Sequence, residues 1–195
     1  MLTDRKTFFV KEHVALMKLT DTYDILDPET KTVIGTAKEE PPTWSKYLRI
    51  LVNKAILPTR LNVYEKEGGP PVLSVQKLGF FRATLPVTGP QGESLGFFKT
   101  KAFSFGGGFW VHDAQGERYA EVKGDWKGWN FRFLTTEGEE LGTVTKKWAG
   151  VGKELFTSAD NYMISIGDMK EGQDTANALL LAAGLAIDVV FKEGK

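Results

Sequence analysis

Short apolar runs separated by polar, glycine-rich turns dominate the chain, the pattern of many short strands. Four windows share one plan: Ile25–Lys38 (ILDPETKTVIGTAK), Val87–Lys99, Val111–Lys123 and Leu134–Lys146. Each has an apolar strand end, a polar turn and a second apolar run entered through a small residue, Gly35, Gly96, Ala120 or Gly142. Their Asp-Pro, Gly-Pro, Gln-Gly and Glu-Gly steps supply the fixed or positive φ that hairpins need. The windows therefore predict four β-hairpins. Further strands are predicted at Phe8–Lys11, Leu61–Glu65, Val72–Lys77, Arg82–Val87 and Tyr162–Ile166. No low-complexity linker interrupts the chain, so residues 1–195 are expected to form one domain.

Two segments carry helical periodicity instead. Trp44–Leu57 places Trp44, Tyr47, Leu48, Leu51, Val52, Ala55 and Ile56 on one stripe, with Pro41-Pro42 before it and Pro58 after it. Ile50 breaks the stripe. Asp174–Phe191 is different, because Ala178–Ile187 is apolar or Gly without interruption. A helix apolar on every side must be surrounded by protein or lipid. About 16 residues at 1.5 Å rise span roughly 24 Å, less than the ~30 Å of a bilayer core. Asp188 lies close behind the run, where lipid would penalise it. The segment is therefore expected to be a buried core helix. Its Ala182, Ala183, Gly184 and Ala186 would let strands approach closely. Many strands and one all-apolar helix predict a mainly β fold, a barrel closed around a C-terminal helix.

Composition then removes function classes. The 195 residues carry 25 basic and 25 acidic side chains and no Cys. Thiol nucleophiles, disulfides, Cys-ligated zinc and S-palmitoylation are excluded. Zero net charge offers no general basis for nucleic-acid binding. The apolar run near the start, Phe8-Phe9-Val10, is too short for a secretory signal, and a cytoplasmic protein is expected. The two His, His13 and His112, have no metal-spaced partner and no nucleophile-elbow motif occurs, so the chain reads as a non-enzyme without a cofactor. Gly150–Lys153 lacks the upstream Gly and following Ser/Thr of a phosphate loop and reads as a turn.

Three stretches resemble the C-terminal half of the phospholipid scramblases and of the related LURP-one-related proteins: Leu141–Gly150 (LGTVTKKWAG), Glu154–Tyr162 (ELFTSADNY) and Ala186–Glu193 (AIDVVFKE). Tyr23–Lys38 resembles their N-terminal hairpin. The resemblance implies a Tubby C-terminal-like fold, a closed barrel of about twelve strands around a C-terminal helix. It also implies lipid association, with a scramblase calcium segment falling on Ser158 to about Met169. Calcium needs six to eight oxygens, whereas that segment offers Asp160, Asn161 and Asp168, with Ser158 where the family has an acid. These remain weak calcium candidates, and the expected reading is a turn without metal.

Basic and aromatic residues point to a surface. Pro41–Tyr64 carries Lys46, Arg49, Lys54 and Arg60 and no acidic residue, as a basic amphipathic element at a membrane surface would. The apolar face of its helix is expected to seal one end of the barrel while the basic face stays in solvent. Trp126 and Trp129, among Gly and charged residues, suit an interfacial position or packing in the barrel core or at its rim, the latter expected. Lys146 and Lys147 could hold an anionic head group. The candidate lipid-binding set is thus Lys46, Arg49, Lys54, Lys146, Lys147, Trp126 and Trp129, the partners anionic phospholipid or phosphoinositide head groups at a peripheral position, with no transmembrane span. The alternatives are a soluble small-molecule or protein-binding barrel without membrane contact and, third, a true phospholipid scramblase.

Overall fold

The computed structural model describes residues 1–13, 19–53, 56–79, 84–101, 108–125, 129–146, 161–167 and 174–191. A 3-10 turn at Leu2–Asp4 precedes β1 (Thr7–Glu12), β2 (Thr22–Leu26) and β3 (Val33–Glu39). Helix α1 (Thr43–Leu48) separates β3 from β4 (Thr59–Tyr64). Then follow β5 (Leu73–Lys77), β6 (Thr84–Thr88), β7 (Ser94–Thr100), β8 (Gly108–Asp113), β9 (Arg118–Asp125), β10 (Asn130–Leu134), β11 (Glu140–Thr145), β12 (Tyr162–Ile166) and helix α2 (Asp174–Phe191). Each strand pairs antiparallel with its chain neighbours, and β1 pairs with β12, so twelve strands close into a barrel.

Closure at this size requires a filling. Side chains alone fill a barrel of about eight strands, and a twelve-stranded wall encloses more than they can reach. Helix α2 occupies the interior, packing on the Leu2–Asp4 turn and on β5, β7 and β12. Every side chain from Ala178 to Asp188 is buried. The small residues set the spacing: a Cβ on Gly184 would lie 2.7 Å from Ile164 Cδ1 of β12. Around the helix, alternate wall residues such as Phe98, Phe109, Phe131 and Phe133 turn inward and are buried.

All four predicted hairpins form, as β2–β3, β6–β7, β8–β9 and β10–β11, and the repeat acquires a structural meaning. Each carries a register shift immediately beside the small residue. Ile25 pairs with Gly35 and Leu26 with Val33, leaving Ile34 as the extra residue. Leu95, Tyr119 and Leu141 occupy the same place in the other three. All four extra residues pack partly buried against the core. The bulge thus turns one apolar side chain inward at the end of each hairpin while adding the twist that closure needs. The small residue lets the following strand approach: at Gly96, with φ +149°, a Cβ would stand 2.1 Å from the carbonyl oxygen of His112 on β8.

The first predicted helix differs from expectation. Helix α1 covers only Thr43–Leu48, and turns follow it through Val52. Its apolar stripe does not seal the barrel: Trp44, Tyr47, Leu48, Leu51 and Ile56 are exposed, as is Ile50. The inward face is polar. Ser45 is fully buried, and Arg49, one turn on, has a side chain only 2% exposed. With the interior already filled by α2, the stripe has no cavity to enter, and hydrogen bonds rather than apolar contacts hold the segment down.

Candidate functional site

In an antiparallel meander the connections alternate between two ends of the barrel. One end, here the hairpin end, bears the tight turns of β2–β3, β4–β5, β6–β7, β8–β9 and β10–β11. Asp4, Glu29, Glu67, Glu93, Glu117, Glu137, Glu139 and Glu140 stand exposed there, against the Met1 amine, Arg5, Lys6, Lys31, Lys66 and Arg118. The opposite, β3–β4 end is unlike it. Among the described residues, seven of the nine exposed large apolar side chains lie there, Leu78 and six between Trp44 and Ile56. Exposed Lys46 and Arg60 flank them.

The projecting segment is firmly seated. Ser45 Oγ donates to the Pro58 carbonyl at 2.8 Å, tying α1 to the chain that enters β4. Arg49 forms a two-pronged pair with Glu39 at the end of β3, Nη1 to Oε2 at 2.8 Å and Nη2 to Oε1 at 2.7 Å. Nη1 also donates to the Leu19 carbonyl at 2.8 Å. The Asp21 amide donates to Glu39 Oε2 at 3.1 Å. A planar guanidinium meeting a carboxylate in this way is directional as well as strong. Arg49 thus joins β3, the β1–β2 connection and α1 beneath an apolar surface. Sequence alone assigned it to the solvent face, because its burial depends on Glu39 and Leu19, neither of which the helical period can report.

A second feature lies at the same end. Trp129 adopts φ +47°, a left-handed conformation that costs a bulky residue about 1–3 kcal/mol. Its ring packs on Tyr162 at 5.3 Å and on the edge of Phe131 at 6.0 Å. Lys146 Nζ lies 4.3 Å above it, and the Lys146 amide donates to the Trp129 carbonyl at 3.3 Å. Trp129 is accordingly a rim-packing residue, and the fold brings it together with Lys146. In the interior nearby, Tyr23 Oη donates to Asp188 Oδ2 at 2.6 Å, with both residues buried. This explains a carboxylate at the end of an apolar helix.

Burial, and then the charge of Asp188, hold the Tyr23 hydroxyl well above the ordinary tyrosine value. An unfolded tyrosine ionises near pH 10, while the folded Tyr23 keeps its proton. The unfolded state then binds fewer protons, so stability is complete below about pH 10 and falls above it. Burial raises Tyr64 and Tyr119 in the same sense. Thermal melts from pH 7 to 11 should show this decline. Tyr23→Phe should lessen it, while costing about 1–3 kcal/mol at neutral pH because Asp188 loses that donor.

The remaining candidates are dispersed. Lys46 is exposed on α1, and Asn161 is buried beside β12. Lys54, Trp126, Lys147, Asp160 and Asp168 lie outside the described residues, as do Gly150–Lys153. Among the described residues no three His, Asp or Glu stand together as metal ligands. Nε2 of His13 meets Asp24 Oδ2 at 2.7 Å across β1 and β2, beside a groove of about 600 Å³ that Thr22, Thr36, Lys38 and Glu65 also line. His112 stacks flat on Phe97 at 4.6 Å, with Nδ1 3.0 Å from the Gly116 carbonyl oxygen in its turn. Trp110 lies on the wall under Lys101 and Arg118, both bonded to Glu121.

A family model described as Scramblase matches residues 72–194, well over half of the chain. The chain belongs to the Scramblase family. The match spans β5–β12 and α2, and the projecting segment lies ahead of it. No curated protein and no solved structure matches this Scramblase-family chain. Among its described residues no helix is long and apolar enough to cross a membrane.

Proposed function

We propose that this Scramblase-family barrel is a non-catalytic protein of the LURP-one-related, Tubby-like kind that docks on anionic lipid surfaces, its β3–β4 end toward the lipid. The observation carrying this reading is the difference between the two ends of the barrel. The exposed glutamates of the hairpin end would be repelled by anionic head groups, while the other end offers Lys46, Arg60 and most of the exposed apolar surface. The filled interior supports a ligand met outside the barrel rather than within it. Lys146, poised over Trp129, would take a phospholipid or phosphoinositide head group.

The contribution of charge is small. Each basic group near an anionic surface is worth about 1 kcal/mol, and Arg49 is already committed to Glu39. Flotation with vesicles tests the reading. The chain should rise more fully with phosphatidylserine or phosphoinositide vesicles than with purely zwitterionic ones. No recovery with anionic vesicles would favour a soluble small-molecule or protein-binding barrel.

A further inference from the structure

We propose that the segment from Trp44 to Leu51 is a preformed wedge that inserts its apolar side chains into one leaflet of an anionic bilayer, and that the buried Arg49–Glu39 pair is the clamp that holds it out. The proposal rests on the lipid-docking reading and names the part of the surface that enters the lipid. Ile50 and Leu51 are 68% and 83% exposed, and Trp44 and Tyr47 stand exposed behind them. Single exposed apolar residues are ordinary on a protein surface, but a contiguous cluster marks an interaction site.

Three observations commit the occupant to lipid. First, Trp and Tyr beside aliphatic residues match the side chains that settle at head-group depth with apolar neighbours below. Second, charge is complementary: residues 41–64 contain no acid, and Lys46 stands among the apolar side chains. Glu39 has its charge answered by Arg49, and Glu40 is engaged by Asn62 and Tyr64. Third, the wedge is already in place. Its inward face is fixed by Ser45 and Arg49, so insertion need not order a loose loop, a cost that otherwise weakens binding.

Insertion and charge predict different responses to salt. Between 0.1 and 1 M the Debye length falls from about 10 Å to about 3 Å, which removes charge-driven docking. Burial of apolar surface is not screened. The wedge should therefore leave a salt-resistant part of the binding once the protein is on the vesicle.

The test uses phosphatidylserine-containing vesicles and the full chain. The double change Ile50→Ser with Leu51→Ser alters only exposed side chains, so circular dichroism should match wild type. Its partition coefficient should fall at least tenfold, since burying one such side chain is worth roughly one decade or more. Part of the wild-type binding should persist in 1 M salt, and the double variant should lose that part. The absence of native Cys allows a single label: a polarity-sensitive dye on Leu51→Cys should shift to the blue with vesicles and be quenched by lipids brominated on the acyl chain. The same dye on Gln91→Cys, in a turn of the hairpin end, should not respond. Wild type that fails to float defeats the docking reading itself. Wild type that floats, with the double variant unchanged and the Leu51→Cys dye silent, overturns the wedge alone. Lipid-free dimerisation abolished by the double change would assign the surface to a second copy and also overturn it.

Discussion

Leu180→Asp in α2 is expected to abolish folding of the whole chain. Leu180 is fully buried, midway along a helix with wall residues on all sides. Removing its side chain costs about 2–5 kcal/mol for the cavity. Placing a carboxyl there without a partner costs roughly 2–7 kcal/mol more, even if it protonates. Together these rival the ~5–15 kcal/mol that holds a typical domain together. Leu185→Asp should behave alike. Leu180→Ala, which pays only the first cost, should give a folded protein with a lower melting temperature. The measurement is far-ultraviolet circular dichroism with size-exclusion chromatography of the three variants. A monomeric, native-like Leu180→Asp protein would mean that α2 is not the centre of the barrel.

Breaking the buried ion pair should have the second largest effect. Glu39→Ala leaves the Arg49 guanidinium nearly inaccessible without its carboxylate, and loss of one partner of a buried pair costs about 3–5 kcal/mol. For a chain of this length that corresponds to a fall in melting temperature of roughly 10 °C. Arg49→Lys should lose part of this, because an ammonium cannot match both carboxylate oxygens. Replacing both partners together, Glu39→Leu with Arg49→Met, should recover most of the stability, since apolar isosteres avoid the desolvation of two ions. Thermal melts of the single and paired variants make the comparison. A single change as mild as the paired one would mean that the pair is not a closed, buried unit. The paired variant also separates stability from position. If the pair serves to aim the wedge, the paired variant should be stable yet bind vesicles more weakly than wild type.

Much of the fold was legible in the chain because it is written in local patterns. The hairpin windows around Gly35, Gly96, Ala120 and Gly142 combine turn chemistry with alternation, and both act over a few residues. The run Ala178–Ile187 could only be a helix enclosed on all sides, so its length and Asp188 sufficed to place it inside protein. Twelve strands closing around it satisfy the same demand from the wall's side. The family resemblance over Leu141–Glu193 pointed to the same architecture and agrees with the Scramblase match.

The candidate site was only half legible. Its composition, basic and aromatic with no acid from 41 to 64, is a property of the sequence. Which way the segment faces is not. Helical periodicity says that one face differs from the other, and the hydrophobic effect ordinarily assigns the apolar face to the interior. Here α2 had already taken that interior, so the choice fell to polar contacts from distant points of the chain: Glu39, Leu19 and Pro58 receiving Arg49 and Ser45. The Tyr23–Asp188 bond spans 165 residues of chain and was equally invisible. Sequence by itself determined the elements, the enclosure of α2 and the composition of the surface. Only tertiary structure decided which apolar surface was buried and which was left facing outward, because the interior of a closed barrel holds one helix and the strands' own side chains, and whatever else is apolar must remain outside.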